Sequence, residues 1–153
     1  MIHLTIAQMQ KEHLQDIADL EKMCFSTPWT YENLAEELNN DTAYFFVALD
    51  EDEEVIGYIG VSVVADSCFI NNIAVYPACR RQGVGTALLK IAIMTADVNS
   101  TEFISLEVRE SNAAAIALYE ALGFEEMGRR KNFYRRPQED ALIMTKLLTK
   151  KEK

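Results

Sequence analysis

The sequence predicts a mixed α/β (α+β) domain, a mostly antiparallel sheet with a central parallel strand pair and helices on both faces. Two observations predict it. Three β-rich runs, 44–49, 55–65 and 68–75, follow one another across short polar turns, as an antiparallel meander does. A strand, glycine turn, helix, strand, helix passage then runs from 68 to 122, and its two strands need a right-handed crossover and a parallel pairing. At 153 residues and 17.4 kDa, one domain over residues 1–153 buries a single core, whereas two would be cramped.

Each element has its own signal. Residues 3–6 alternate polar and apolar as a short strand does, and 11–25 place Leu14, Ile17, Ala18 and Met23 at helical spacing. Ser26, Thr27, Pro28 and Trp29 break that helix. Thr30 caps a second one, with Leu34, Ala35 and Leu38 on one face. The acidic stretch 50–54 and the pair Asp66 and Ser67 turn the chain between the β runs, and Pro77 ends the third run. After Gly83 and Gly85, the residues Val84, Leu88, Ile91, Ala92 and Thr95 carry a helix to about residue 99. Residues 103–108 read as a strand, 112–122 as a helix ended by Gly123, and 125–134 and 141–148 as two final strands.

Composition narrows the function classes. Hydrophobic residues make up 49% and charged residues 25%, with 6 Gly and 3 Pro, which excludes a disordered or collagen-like chain. The longest mostly apolar stretch, 84–98, is broken by Lys90, Thr95 and Asp97 and is too short to cross a bilayer, so no membrane partner is expected. The start, Met1, Ile2, His3, Leu4, lacks the pattern of a signal peptide, and Cys24, Cys68 and Cys79 cannot all pair with one another; a reducing cytoplasm is the expected location. A net charge of −9 argues against direct binding to nucleic acid. The charge is uneven: residues 1–75 hold 14 acidic and 2 basic side chains, and residues 76–153 hold 10 and 13. The back half suits an anion, and the front half is either a solvated acidic face or one that meets a cationic partner.

The strongest local signal is the segment 75–86, which lies between a strand and a helix and contains Arg80, Arg81, Gln82, Gly83, Val84, Gly85 and Thr86. Glycines let a backbone approach phosphate closely, and the start of a helix offers N–H groups and the positive end of its dipole. The Gly-Lys pair of a Walker loop is missing, as is the third glycine of a dinucleotide fingerprint, so neither ATP nor NAD is favoured. Alone, such a turn is also a plain tight connection. Cys79 beside two arginines raises the rival chemistry of an acyl-cysteine, but no His accompanies it. His3 and His13 form no recognisable ligand set with the cysteines, and no metal is expected.

Arg80-x-x-Gly83-x-Gly85, following Asn72, Ile73, Ala74 and Val75, resembles the acyl-CoA pyrophosphate loop of the GNAT family of N-acetyltransferases. The stretch 106–124, Leu-Glu-Val-Arg-Glu-Ser-Asn-Ala-Ala-Ala-Ile-Ala-Leu-Tyr-Glu-Ala-Leu-Gly-Phe, is similar to that of the bacterial ribosomal-protein-alanine branch of this family, as are 24–30 and 139–144. The departures fall in 129–135, where that branch more often has two adjacent tyrosines and then proline. The resemblance implies a GNAT fold, acetyl-CoA as co-substrate, and a ribosomal protein N-terminus as acceptor, that of the eighteenth protein of the small subunit, beginning with alanine. It also implies roles: Glu107 as general base, Tyr119 as general acid and cofactor contact, and Asn112 as a cofactor-binding residue. The backbone of Ile73, Ala74 and Val75 would pair with the pantetheine, residues 80–86 would hold the pyrophosphate, and Trp29 and Tyr134 would flank the peptide.

Chemistry is compatible with those roles. Acetyl transfer to an amine requires loss of an ammonium proton and protonation of a departing thiolate, tasks that suit Glu and Tyr. Structural alternatives stand beside each assignment. Glu107 alternates onto the same strand face as Ser105 and Arg109 and so can simply pair with Arg109. Asn112 can be a helix cap, Tyr119 a core aromatic and Trp29 a hydrophobic plug. Two other functions remain open at this level: a GNAT enzyme acting on lysine or a small amine, and a noncatalytic acyl-CoA-binding module.

Overall fold

The computed structural model describes residues 3–148; the ends of the expected domain, 1–2 and 149–153, lie outside the described residues. Along the chain run β1 (Thr5–Gln8), α1 (Leu14–Cys24), α2 (Tyr31–Glu37), β2 (Ala43–Leu49), β3 (Val55–Val64) and β4 (Ser67–Val75). There follow α3 (Val84–Val98), β5 (Phe103–Arg109), α4 (Ala113–Ala121), β6 (Glu125–Arg135) and β7 (Gln138–Leu147). Short 3-10 turns, Lys11–His13 and Pro77–Cys79, precede α1 and follow β4.

Seven strands form one sheet in the order β1-β2-β3-β4-β5-β7-β6. The expected meander is β2, β3 and β4, antiparallel neighbours, and the expected parallel pair is β4 with β5. Strand β3 has seven successive buried residues, 55–61, the pattern of a strand covered on both faces. Its side chains feed two cores, and the β2–β3 register shift, which leaves Ile56 unpaired, sets which core Val55 and Ile56 enter. Ile56, Ile59 and Val61 pack with Leu88, Leu89 and Ala92 of α3, and Val55 and Tyr58 pack with Leu14, Ile17 and Leu20 of α1 and Leu34 of α2. Helices therefore cover both faces, as the sequence predicts. Gly60 marks a close approach: a Cβ there would sit 2.3 Å from the Phe45 ring on β2.

Boundaries differ where pairing, not apolar pattern, sets them. Strand β1 begins at Thr5 and not at residue 3, and β7 begins at Gln138, before its apolar run at 141, because Arg135 pairs with Gln138 across the hairpin. Met23, expected on the inner face of α1, is 61% exposed. Six residues at 100° each carry it well off the face that Ile17 occupies, and Glu21 takes the buried position instead. Leu38 is half exposed because it caps α2 after the last full turn.

One irregularity shapes the molecule. The β3–β4 register shifts at Gly60, which pairs with Asn72 while Val61 pairs with Ile70, so Asn71 is an extra residue that bends β4. The parallel β4–β5 pairing covers only Ser67↔Phe103, Cys68↔Ile104 and Phe69↔Ser105. Past the bulge the two strands part.

Candidate active site

Where β4 and β5 separate, each keeps its outer partner, β3 on one side and β7 on the other, so the edges facing each other are unpaired from Ile70 and Leu106 onward. Unpaired strand edges are rows of N–H and C=O groups ready for an extended ligand to join as a strand. A cleft of about 830 Å³ opens here. It brings together Trp29, Ile73, Glu107, Asn112, Tyr119 and Tyr134, six of the residues singled out from the sequence. Ala74, Val75 and the 80–86 segment are not among its lining residues; they continue from the end of β4 to the start of α3.

Glu107 leaves β5 on its exposed side, and its carboxylate forms an ion pair with Arg130, Oε2 standing 2.9 Å from Nε. Its partner is thus not Arg109, the neighbour that strand alternation offers. Arg109 instead bonds Glu139 at 3.3 Å and the carbonyls of Pro137 at 2.8 Å and Arg136 at 3.2 Å, and its guanidinium lies 4.3 Å from the centre of the Tyr134 ring. The Arg136 carbonyl also accepts from the Ser26 hydroxyl at 2.7 Å. One carbonyl therefore ties the loop after α1 to the β6–β7 turn across the cleft.

Tyr119 lies on α4 and is 6% exposed, packed on Phe124. Burial, and then Tyr134 nearby, push its hydroxyl up to about 12, so it is a protonated donor at neutral pH. Burial raises Tyr134 as well, with Glu107 adding to the shift and Arg109 opposing it. Asn112 does what its helix-cap reading says: its side chain accepts the Ala115 N–H at 3.2 Å while the residue also lines the cleft.

At the start of α3, Gly83 has φ 85°, the left-handed conformation that a glycine adopts without strain. The first α3 bond runs from Ala87 N–H to the Gly83 carbonyl, which leaves the N–H groups of Val84, Gly85 and Thr86 ahead of the helical ladder. Gly85 lets α3 approach α4, since a Cβ would stand 3.0 Å from Leu118. Arg80 turns away from this site, donating to the Val75 carbonyl at 3.1 Å and toward Cys24 Sγ at 3.6 Å. Arg81 is exposed, at φ 63°. Cys79 lies in the 3-10 turn outside the cleft, whereas Cys24 lines it. Among the described residues no group of three or more His, Cys, Asp and Glu is placed to hold a metal, and no helix is long and apolar enough to cross a membrane.

Sequence reasoning missed Glu21, Asn72, Arg109 and Arg136 on the cleft wall, and Arg130 beside Glu107. Glu21 had a readable signal, a carboxyl on the apolar stripe of α1 with Leu14, Ile17 and Ala18. The others depend on strand register.

A mixed sheet whose single parallel pair opens into a cleft, with a glycine turn and helix start at one end, is the architecture of an acyl-CoA-dependent N-acyltransferase. Residues 14–124 match the acetyltransferase (GNAT) family, and the chain belongs to that family. It is 37% identical over 142 residues, 92% of this chain and 95% of its relative, to the ribosomal protein bS18-alanine N-acetyltransferase of Escherichia coli strain K12. The protein of that name from Haemophilus influenzae is 32% identical over 142 residues, 91% of this chain and 95% of its own. The crystal structure of the E. coli ribosomal-protein-alanine N-acetyltransferase superposes with a TM-score of 0.88 at 33% identity, covering 99% of this chain and 97% of that one. The chain is thus an N-acetyltransferase, and the expected GNAT fold is the observed one.

Proposed function

We propose that this enzyme transfers the acetyl group of acetyl-CoA to the N-terminal amine of a ribosomal protein that begins with alanine, in the cytoplasm, through one domain spanning residues 1–153. The observation that carries the reading is the opened β4–β5 pair, with Glu107 and Tyr119 both lining the cleft it makes. Relatives that cover nearly the whole chain are named for acetylation of the bS18 alanine, which supports the same acceptor.

In this reading the pantetheine lies along the free edge of β4 at Ile73 and Ala74, and the pyrophosphate meets the N–H groups of Val84, Gly85 and Thr86, with Arg81 alongside. The acceptor enters between Trp29 and Tyr134. Glu107 takes a proton from the ammonium, directly or through a water, in exchange for its bond to Arg130. The neutral amine then attacks the thioester carbonyl, whose oxygen is steadied by a backbone N–H of β4. As the C–S bond breaks, Tyr119 gives its proton to the departing sulfur, and the second proton of the attacking nitrogen restores the phenol through solvent, leaving N-acetyl peptide and CoA thiol; Glu107 then passes its proton to solvent. An α-amine has a pKa of about 7.7 to 8.0 against about 10.4 for lysine, so the terminal amine surrenders its proton at far lower cost.

Intact-mass spectrometry after incubation with acetyl-CoA tests this. A peptide beginning with alanine gains one acetyl group at its α-amine, faster than a blocked peptide offering only lysine. Faster modification of lysine favours a lysine acetyltransferase, and binding of acetyl-CoA without turnover on any amine favours a noncatalytic module.

A further inference from the structure

Three side chains that the chemistry above leaves unused, Glu21, Tyr58 and Asn72, join Trp29 in a chain behind one wall of the cleft. Glu21 is 2% exposed, and its Oε1 accepts the Trp29 backbone N–H at 2.8 Å. Its Oε2 lies 2.6 Å from the Tyr58 hydroxyl on β3. Beyond stands Asn72 of β4, with its amide oxygen 3.1 Å from the Trp29 indole nitrogen and 3.2 Å from the same Tyr58 hydroxyl, and its amide nitrogen 3.3 Å from the Asn71 carbonyl. The indole sets that orientation, because an N–H donor cannot face an NH₂ group.

Counting hydrogens along this chain assigns a proton. The Tyr58 hydroxyl has one hydrogen and two oxygen neighbours, Glu21 and Asn72. With Glu21 ionised, that hydrogen goes to the carboxylate, and the Tyr58 and Asn72 oxygens face each other with none between them. With Glu21 protonated, the acid donates to Tyr58, Tyr58 donates to Asn72, and every contact holds one hydrogen. Burial favours the same form by raising the carboxyl, against the opposing pull of the Trp29 N–H and the Tyr58 hydroxyl. The other ionisable groups at hand are Cys24 on the same helix and Arg80 after β4, and the bonds of Arg80 go to Cys24 and Val75.

We propose that Glu21 carries its proton in the folded enzyme and is a positioning residue for the acceptor amine, holding the Trp29 loop against β4. The inference rests on reading the Trp29 loop as an acceptor wall. Glu21 and Glu107 are the two carboxyl groups that line the cleft among the described residues. A neutral Glu21 leaves Glu107 as the charged one, so an incoming ammonium is drawn to the base and not to the wall.

Carbon NMR of the full chain, glutamate-labelled and free of substrate, reads the protonation state directly, with the Glu21 carboxyl signal identified by its loss in Glu21→Gln. An acid signal at neutral pH is expected, and a carboxylate signal overturns the proposal. Kinetics with acetyl-CoA and a basic peptide beginning with alanine read the positioning. Glu21→Gln can donate to Tyr58 and accept from Trp29, so it stays within about twofold of the parent. Glu21→Ala raises the acceptor KM by roughly five- to a hundredfold and leaves that for acetyl-CoA unchanged. Tyr58→Phe keeps the ring against Phe45, shows the same acceptor-specific rise, and decides the matter if Glu21→Ala does not fold. A Gln variant as impaired as the Ala variant, or equal rises in both KM values, overturns the positioning role. Absence of turnover by the parent on the alanine peptide overturns the acceptor reading instead, and the carbon signal still decides this one.

Discussion

Glu107 and Tyr119 reach the cleft from different elements, and each has an environment that suits one direction of proton transfer. Glu107 is accessible enough to exchange Arg130 for an ammonium, whereas Tyr119 is buried with its hydroxyl raised to about 12. Glu107→Gln removes the proton acceptor without changing shape, so kcat should fall about a hundredfold or more while calorimetric affinity for acetyl-CoA is unchanged. Tyr119→Phe should also slow turnover. The raised tyrosine gives a pH prediction. The fold favours the protonated phenol, a contribution present below the ordinary value of about 10 and lost only as pH rises through the folded value near 12. The pH–rate profile should therefore lack a descending limb near pH 10 that depends on Tyr119. Such a limb, present in the parent and absent in Tyr119→Phe, would contradict the buried-acid role.

Among the elements, the sheet centre and the last hairpin are held by different forces. The centre depends on fit: Gly60→Ala places a Cβ 2.3 Å from the Phe45 ring, and the resulting overpacking should cost about 1–3 kcal/mol in urea unfolding. The β6–β7 hairpin depends on charge. The Ser111 hydrogen bonds, with Arg109, hold the partly buried Glu139 below the usual carboxylate range, and the Asn132 N–H and Arg129 do the same for Asp140. Groups with depressed values stabilise above their unfolded pKa, about 4, and lose that contribution as pH falls through the folded values. Amide exchange at Ser111 and Asn132, corrected for its intrinsic pH dependence, should accelerate over that acid range before the α1 core opens. Unaltered protection there would remove the electrostatic account. At the α3 turn, Arg81→Ala should weaken acetyl-CoA binding by roughly one to two orders of magnitude, and equal affinity would release this loop from the pyrophosphate.

Across the whole molecule the charge is divided. The front half, with Glu32, Glu36 and Glu37 shortly after Trp29, is strongly acidic, while Arg80, Arg81 and the 129–136 stretch concentrate basic residues in the back half. A basic acceptor peptide should be drawn to the acidic half over a distance set by ionic screening, about 8 Å at physiological salt. Its kcat/KM should exceed that of an acidic peptide with the same first residue and should fall as salt rises. Equal, salt-independent values for the two peptides would remove the steering effect.

The amino-acid sequence by itself determined the elements and the family. Apolar periodicity, Thr30, Pro77, Gly83 and Gly123 place helices and strands within a few residues, because these signals act over one or two turns of chain. The motif at 80–85 and the stretch 106–124 carry the family because both are contiguous. Tertiary structure alone decided what depends on register. The extra residue at Asn71 bends β4 and parts it from β5, and β7 lies between β5 and β6, which brings Arg130 beside Glu107. The chain from Glu21 through Tyr58 to Asn72 and Trp29 joins residues up to 51 positions apart, from two strands, a helix and a loop. Local sequence sets which way a side chain points along its own element, but its partner across the sheet is fixed by strand pairing, and that is a property of the whole fold.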